Sequence, residues 1–355
     1  MQNNSPVRKV LIYRTGSLGD TVVALPCFHL IARSFPQAER VLLTALHSSA
    51  KATAAMAVLG DSGLVHREIR YPVSTRNLSD MLRLAWKIWR FRPDVLVYLL
   101  EVRTLKRVRR DKLFFRLAGV RRIVGLPGEE EISHRFNSVN GLYESEASRL
   151  ARSIASLGDA HPEDITKWDL LLSPPEEQVA ASVISDIAGR KLIAWGPGSK
   201  MQAKDWGQDN WRSLLGRLYA KYPSYVLVMM GAVQDKEECE DAASEWTGEK
   251  VNLAGRLSPR ETAAVMKHCA IFIGPDSGPK HLAASVGVPC VCIFSARDKP
   301  GIWFPPGDQN VIIYHQTECY GCRLETCILM GKRCILSISV DEIEDAVDQV
   351  LSRVS

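Results

Sequence analysis

Two glycine-bearing turns, one in each half of the chain, constrain the fold most strongly. The first is RTGSLGD (residues 14–20), which follows the apolar residues 10–13, and the second is GPDSGPKHL (residues 274–282), which follows another apolar run. Each pattern predicts a strand, a tight turn and the start of a helix. Because open α/β sheets bind ligands at the carboxyl ends of their strands, the two turns predict two sheets that face each other across a central cleft.

The length of 355 residues predicts two domains. A net charge of +5 gives no argument for nucleic acid as a partner. No apolar run is long enough to span a membrane, and residues 1–6 lack the apolar core of a signal peptide, so we expect a cytoplasmic protein. The nine cysteines are then expected to be thiols or metal ligands rather than disulfides.

Apolar strands alternate with helical patterns along the whole chain, which predicts an α/β fold with two Rossmann-like, doubly wound parallel sheets. The proline-rich residues 173–177 indicate a boundary, so we predict domains over residues 1–175 and 176–338. A capping box opens a terminal helix over residues 339–355. The pattern also predicts an amphipathic helix from Leu78 to Phe91 that carries on one side Leu82, Ala85, Trp86 and Trp89.

Asp20 is the candidate catalytic group of the first domain, next to Ser17 and Gly19 in the same turn. The structural interpretation is an aspartate that caps the following helix and is stabilised by its dipole. The functional interpretation is a carboxylate that takes a proton from an acceptor hydroxyl, with Ser17 and Gly19 contributing to the acceptor site. The turn is not a GxGxxG motif, so a nicotinamide cofactor is disfavoured.

Residues 103–122 carry nine Lys and Arg side chains against one acid, Asp111, with aromatic residues between them. The usual explanation is a solvated helix face. The alternative is a surface that meets anionic lipid headgroups, at the cytoplasmic face of the inner membrane, or a phosphorylated acceptor. We take Arg103 and Arg107 as candidate acceptor-binding residues.

A glycine-containing loop follows the first apolar strand of the second domain. Gly198, Ser199, Lys200 and Lys204 supply backbone amides and positive charge, which suit a diphosphate. The loop is not a P-loop, since it has no Gly-Lys-Ser/Thr sequence. Solvated lysines are the alternative interpretation of Lys200 and Lys204.

The segment from Asp276 to His281 is the sharpest local signal. Ser277, Gly278 and the neighbouring amides would present hydrogen-bond donors to an anion at a helix N-terminus. His281 would face the same ligand from the first turn of that helix.

Two acids follow another strand of the second domain at the same predicted edge. Asp235 or Glu237 could hold a ribose through its hydroxyl groups. A solvated helix start explains both acids at least as well.

Four cysteines lie within sixteen residues near the end of the chain, with His315 just upstream. Four thiolates are enough for a tetrahedral zinc or iron site, although their spacing matches no standard ribbon or finger. Reduced structural thiols or an occasional disulfide are the alternative. The four are Cys319, Cys322, Cys327 and Cys334.

The order of these motifs resembles glycosyltransferase family 9, the lipopolysaccharide heptosyltransferases. The similarity rests on residues 14–20, 195–211, 253–258 and 276–289, and the last of these motifs is the most specific. It spans nearly the whole chain, but residues 48–144, where an acceptor would bind, match only loosely.

The resemblance implies a GT-B fold and transfer of a heptose from ADP-heptose to an inner-core sugar of lipopolysaccharide or a related glycan. It also implies inversion at the anomeric carbon, no required metal, and a last helix that crosses back to the first domain. Asp20 would be the general base, and Lys204 would neutralise the departing diphosphate. Lys280 departs from the family pattern, which commonly has an apolar or small residue there. The donor site would be lined by Asp276, Ser277, Gly278 and His281.

Two other classes of protein remain open on the same fold. A nucleotide-sugar epimerase would need acid and base groups around the sugar ring and no acceptor site. A non-catalytic nucleotide-sugar-binding protein would keep only the donor pocket. The basic stretch at residues 103–122 favours an acceptor, and the presence of Asp20, Lys204 and His281 argues against a loss of catalysis.

Overall fold

The computed structural model describes residues 6–46, 55–72, 77–101 and 104–354. The chain forms two compact units, residues 1–136 with 144–170, and residues 137–143 with 171–355. The predicted boundary lay after residue 175, whereas the structure divides the chain before Leu171 and also assigns residues 137–143 to the second unit. The last of these, Tyr143, donates its backbone N–H to the carbonyl of Pro300 at 2.8 Å, which holds the short segment within the second unit.

The first unit contains a five-stranded parallel sheet. Its strands are β1 (Lys9–Tyr13), β2 (Glu39–Leu46), β3 (Arg67–Pro72), β4 (Val95–Tyr98) and β5 (Ile123–Val124). They lie in the order β3-β2-β1-β4-β5. The side chains of β4 are all buried, as expected for a central parallel strand covered on both faces. Tyr13 pairs with Tyr98, so β1 and β4 end side by side and place their following residues at one edge.

Helices cover both faces of this sheet, as right-handed crossovers between parallel strands require. In the described part of the unit they are α1 (Leu18–Val22), α2 (Leu25–Ser34), α3 (Ala55–Leu59), α4 (Leu78–Phe91), α5 (Leu105–Leu117) and α6 (Glu146–Ser153). Leu84, Ile88 and Phe91 of α4 and Phe115 of α5 pack into the core against the strands. Two short strands, β6 (Phe136–Asn137) and β7 (Leu142–Tyr143), precede α6.

The second unit repeats this plan with a six-stranded parallel sheet. Its strands are β8 (Lys191–Trp195), β9 (Tyr225–Met229), β10 (Lys250–Asn252), β11 (Ile271–Pro275), β12 (Cys290–Phe294) and β13 (Val311–Tyr314), in the order β10-β9-β8-β11-β12-β13. β8 and β11 are neighbours in the middle, with Ile273 opposite Trp195. The loops after these two strands therefore leave the sheet at the same edge. The two parallel α/β sheets confirm the predicted fold class.

The helices of the second unit include the end of the chain. They are α7 (Pro174–Val183), α8 (Gln208–Lys221), α9 (Lys236–Ala242), α10 (Pro259–Met266), α11 (Gly278–Ser285), α12 (Arg333–Leu336) and α13 (Val340–Val354). The apolar stripe of α13, which includes Ile343, Val347 and Leu351, is buried in the core of the second unit. This stripe therefore makes α13 part of the second unit, and its further packing on the first domain stays a prediction. Within the described residues, no helix has the length and apolar character needed to cross a bilayer.

Candidate functional site

The turn after β1 is shaped around Asp20. Gly16 has a φ of +131°, and a Cβ at this position would lie 2.4 Å from the Cβ of Asp20, so only glycine fits. The backbone N–H and the hydroxyl of Ser17 both donate to Oδ2 of Asp20, at 2.6 and 2.9 Å. Asp20 thus does cap α1, as the structural interpretation expected. Both hydrogen-bond donors of Ser17 are therefore used within this turn.

Arg14 ties the strand ends of the first unit together. The side chain is 1% exposed and donates to the carbonyls of Leu99 at 3.0 Å and of Asp20 at 3.1 Å. It also pairs with the buried Glu146 at 3.6 Å. The guanidinium therefore fixes the end of β4 and the start of α1 in one arrangement, with its positive charge at the same edge as Asp20.

Glu101 joins this edge from the residues that follow β4. Its carboxyl group lies close enough to that of Asp20 for the two to interact electrostatically. Although part of its side chain reaches solvent, the pKa of Glu101 is raised to about 7, first because the surrounding protein reduces its hydration and then because Asp20 is close; Arg14 opposes the rise. Asp20 and Glu101 are therefore neighbouring carboxyl groups, here named the carboxyl pair, and Glu101 keeps its proton up to near-neutral pH.

A buried ion network supports this edge from α6. Arg149 donates to both carboxylate oxygens of Glu146 at 2.8 Å and to the carbonyl of Leu100 at 2.6 Å. His134 lies 3.4 Å from Glu146, and burial lowers the pKa of this histidine. The network holds the backbone just before Glu101 in place.

The other residues predicted for the acceptor site lie in different positions. Gly19 is within α1, next to Asp20, whereas Arg107 is exposed on α5. Arg103 lies outside the described residues. Sequence reasoning missed Arg14 as a tie between strand ends and Glu101 as a partner of Asp20. An acid directly after an apolar strand was the available signal for Glu101.

Lys204, Asp276 and Lys280 form a charged cluster at the corresponding edge of the second unit. The ammonium of Lys204 donates to Oδ2 of Asp276 at 2.5 Å, and that of Lys280 lies 2.7 Å from Oδ1. Burial alone would raise the pKa of Asp276, but the two lysines outweigh it and hold that pKa well below its usual range. Asp276 is therefore an anion that positions Lys204, which also lies 3.9 Å from Asp298.

Lys280 is fully buried and uses its ammonium in several bonds. Besides Asp276, it donates to the carbonyl of Trp303 at 2.7 Å and to Nε2 of His281 at 2.8 Å, and it lies over the ring of Phe294. Burial lowers the pKa of Lys280, and Asp276 opposes this shift. Lys280, the residue that departs from the family pattern, is thus a buried cation that holds neighbouring groups of the site in place.

His281 and Ser277 present donors that the described residues do not satisfy. Burial, with the charge of Lys280, lowers the pKa of His281 well below its usual value, so the ring is neutral. Because Nε2 accepts from Lys280, the ring proton is assigned to Nδ1, and this atom has no partner within the described part of the chain. The same holds for the buried hydroxyl of Ser277, the residue that precedes α11. Both donors lie at the N-terminus of α11, where the helix dipole favours an anion.

The glycine loop after β8 lies against Asp235. A Cβ at Gly198 would be 2.6 Å from Oδ2 of Asp235, the oxygen that accepts from the N–H of Ala232 at 2.8 Å. Ser199 closes a turn with the backbone of Met201. Of the two acids considered for a ribose, Asp235 is beside this loop. Lys200 is exposed on the loop, and Glu237 is exposed on α9.

The four clustered cysteines are thiols in this structure. Across the described residues, which include all four, no three His, Cys, Asp or Glu side chains are arranged to hold a metal ion. Burial and the nearby sulfurs of Cys319, Cys327 and Cys322 raise the pKa of Cys334, whereas backbone N–H groups lower that of Cys327. The zinc or iron site considered for the four cysteines stays a prediction.

This cysteine segment also contacts the loop that carries Lys204. The N–H of Ala203 donates to the carbonyl of Glu325 at 3.0 Å, and the N–H of Cys327 donates to the side chain of Gln202 at 3.0 Å. Lys332 donates to the backbone and side-chain oxygens of Asp205, both at 2.9 Å. Residues 202–205 are thus held on both sides of Lys204.

Solved structures share the whole fold with this chain. A glycosyl transferase family 9 protein from Veillonella parvula aligns over 98% of both chains with a TM-score of 0.73 and 15% identity. The Escherichia coli heptosyltransferase WaaC, solved with ADP-2-deoxy-2-fluoro heptose, aligns over 96% of this chain and 99% of its own, with a TM-score of 0.65 and 15% identity. The chain therefore has the same two-domain α/β fold as these two proteins.

The sequence comparisons narrow this class. The model of glycosyltransferase family 9 (heptosyltransferase) matches residues 146–332. Because that match covers more than half of the chain, the protein belongs to glycosyltransferase family 9, which confirms the predicted resemblance. Lipopolysaccharide heptosyltransferase 3 of Escherichia coli is 30% identical over 126 residues, 35% of this chain and 36% of the relative, so the match spans about a third of that relative's length.

Proposed function

We propose that this protein is an inverting glycosyltransferase that moves a heptose, or a similar sugar, from ADP-heptose to an inner-core sugar of lipopolysaccharide or a related glycan. The observation that carries the proposal is the pair of unsatisfied donors, Ser277 Oγ and His281 Nδ1, at the N-terminus of α11. Family membership supports the reaction class, and the structural relative WaaC was solved with an ADP-heptose analogue.

The donor's diphosphate would bind at this helix N-terminus. Ser277, the neutral His281 and the first amides of α11 would donate to its oxygens. Lys204 would supply a full positive charge while Asp276 holds it in position. As the bond between sugar and diphosphate breaks, negative charge develops on the leaving oxygen, and these groups stabilise it without reorganising. We propose that no metal is required for this step.

The acceptor hydroxyl would bind near Asp20 in the first unit. In the transfer step, its oxygen attacks the anomeric carbon from the side opposite to ADP, the new glycosidic bond forms, and ADP leaves with the bonding electron pair. The hydroxyl proton passes to the Asp20–Glu101 carboxyl pair. One displacement gives inversion, so a single base is sufficient.

Binding of ADP tests the donor site directly. Isothermal titration with ADP, GDP and UDP should show selective binding of ADP, which would become about tenfold weaker in Ser277→Ala because one hydrogen bond to a charged group is lost. Ser285→Ala is the matched control, since Ser285 lies at the other end of α11 and its hydroxyl donates to the carbonyl of Leu282. Equal ADP binding by Ser277→Ala and the wild type would contradict the assignment of this site, and selective binding of GDP or UDP would change the donor.

A further inference from the structure

The solvent-facing side of α4 is apolar and aromatic. Leu78, Leu82, Trp86 and Trp89 are spaced four, four and three residues apart, so they share one face of the helix. Their exposed fractions are 68, 61, 55 and 53%. These four residues are named here the outward face of α4.

The opposite side of the same helix supplies its packing against the core. It is formed by Leu84, Ile88 and Phe91, which are buried in the core of the first unit. The side that the sequence pattern marked as apolar is therefore not the side that packs. Large exposed aromatic patches are uncommon on soluble proteins unless they meet a partner.

A second observation concerns the charges around this face. Residues 78–92 and 104–122 hold twelve of the chain's 45 Lys and Arg side chains but two of its 40 acids, so the remainder of the chain has more acids than bases. All twelve are exposed. Arg90 lies over the ring of Trp86 and Arg92 over that of Trp89, each at 5.4 Å, so positive charge borders both indoles.

The basic helix α5 adjoins α4 at this surface. A Cβ at Gly119, in the turn after α5, would lie 3.4 Å from the ring of Trp89. α5 itself exposes Leu113 and Leu117, at 61 and 78%. Apolar and basic side chains thus alternate on both helices.

We propose that the outward face of α4, with the basic side chains of α4 and α5, docks on an anionic lipid surface. Tryptophan and leucine insert at the boundary between headgroups and acyl chains, and lysine and arginine attract anionic headgroups. A second copy of the chain fits less well, because a symmetric contact would bring the same twelve cations against each other. This inference needs only the first unit, so vesicle binding can be measured whether or not sugar transfer is observed.

The first test is co-sedimentation of the full chain with vesicles. The protein should pellet with vesicles of phosphatidylethanolamine and phosphatidylglycerol, and far less with vesicles of phosphatidylcholine. The double variant Trp86→Ala/Trp89→Ala should bind the anionic vesicles about tenfold more weakly. Ile328→Ala/Leu329→Ala is the matched control, since it removes two apolar side chains from the second unit that are at least as exposed, and it should bind like the wild type.

Tryptophan fluorescence gives a second readout. Trp86 and Trp89 are more than half exposed, whereas Trp168, Trp195, Trp206, Trp211 and Trp246 are buried and Trp303 is partly buried. Anionic vesicles should shift the emission to shorter wavelength, and brominated lipids should quench it. Neither effect should occur in the double variant, while its unchanged circular dichroism would show that it is folded.

Charge-reversal variants and a test for dimers distinguish binding to lipid from binding to a second copy of the chain. Lys112→Glu/Arg116→Glu should weaken binding and make it less sensitive to salt. Failure of the wild type to bind anionic vesicles at low salt, or equal binding by the tryptophan variant, would overturn the proposal. A concentration-dependent dimer that disappears in Trp86→Ala/Trp89→Ala would assign the face to a second copy and would also overturn it.

Discussion

At the scale of single residues, the second unit depends on a cation that the family pattern did not predict. Lys280 has no exposed surface, and its ammonium is shared among Asp276, His281 and the carbonyl of Trp303. A buried charge is tolerated only when it is paired and hydrogen bonded. The bond from Lys280 to Nε2 of His281 also assigns the proton of His281 to Nδ1, so Lys280 connects the core to the proposed donor site.

Lys280→Met should therefore destabilise the protein. The variant keeps much of the side-chain volume but removes a buried pair, which typically costs about 3–5 kcal/mol. Lys112→Met, on the exposed side of α5, should change the free energy of unfolding by less than about 0.5 kcal/mol. Urea unfolding of both variants checks this, and a cost below about 1 kcal/mol for Lys280→Met would mean that Lys204 alone compensates Asp276.

The carboxyl pair of Asp20 and Glu101 predicts a specific pH dependence. The folded protein holds the Glu101 proton up to a pKa of about 7, above the ordinary value of 4.5, so it binds more protons than the unfolded chain between these values. Stability contributed by this group therefore falls as pH rises. Glu101→Gln should gain thermal stability over the wild type from about pH 4.5 to 7 and keep a constant advantage above that.

Carbon NMR titration of the Glu101 carboxyl gives the matching measurement. In Asp20→Asn the nearby negative charge is lost, so the pKa of Glu101 should fall toward its ordinary value. An unchanged pKa in that variant would show that reduced hydration alone raises it.

At the scale of elements, the segment around the clustered cysteines supports the loop with Lys204. Its backbone meets residues 202 and 203, and Lys332 bonds to Asp205. The sequence left a metal site open for this segment, and its described contacts indicate that it also braces the loop that carries Lys204.

Lys332→Ala should reduce turnover more than stability. The bonds to Asp205 are partly solvated, so their loss should cost about 1 kcal/mol of unfolding free energy. Lys204 would become less well placed, and kcat/KM for sugar transfer should fall about tenfold. Arg333→Ala, a change at the exposed neighbour, is the control. Equal kcat/KM for the two variants would show that the bonds from Lys332 to Asp205 do not affect sugar transfer.

The sequence predicted the central strands and missed several edge strands. β1, β4, β8 and β11 are continuous apolar runs because both of their faces are covered. β3, β10 and β13 lie at sheet edges, and β3 carries alternating charges that hide it from an apolar pattern. The turn at residues 276–281 could likewise be predicted from its own local sequence. The bond from Lys204 to Asp276 could not be predicted, because 72 residues separate the two and only the sheet order brings them together.

At the scale of the whole molecule, the candidate groups are divided between the two compact units. Asp20, Glu101 and Arg14 belong to the first, whereas Lys204 and the N-terminus of α11 belong to the second. Each set lies where neighbouring central strands end. Binding of the nucleotide and removal of the acceptor proton should therefore respond to different substitutions.

Asp20→Asn should lose sugar transfer while it retains ADP binding. The amide preserves the shape of the side chain but cannot take a proton, so the rate should fall by about 10²–10⁴. Titration with ADP should give the wild-type affinity, because the donor groups lie in the other unit. Near-normal transfer in this variant would remove Asp20 as the base and leave Glu101 to be tested in its place.

The short segment 137–143 limits how this protein can recombine with its relatives. The chain passes from one unit to the other after residue 136, returns after residue 143 and leaves again after residue 170. A single splice near residue 170, made to exchange acceptor preference, would also replace the piece of backbone through which Tyr143 bonds to Pro300. A chimera that keeps each unit intact needs three junctions. The two units of such a protein therefore cannot be exchanged by one crossover, as two domains that follow each other in sequence could be.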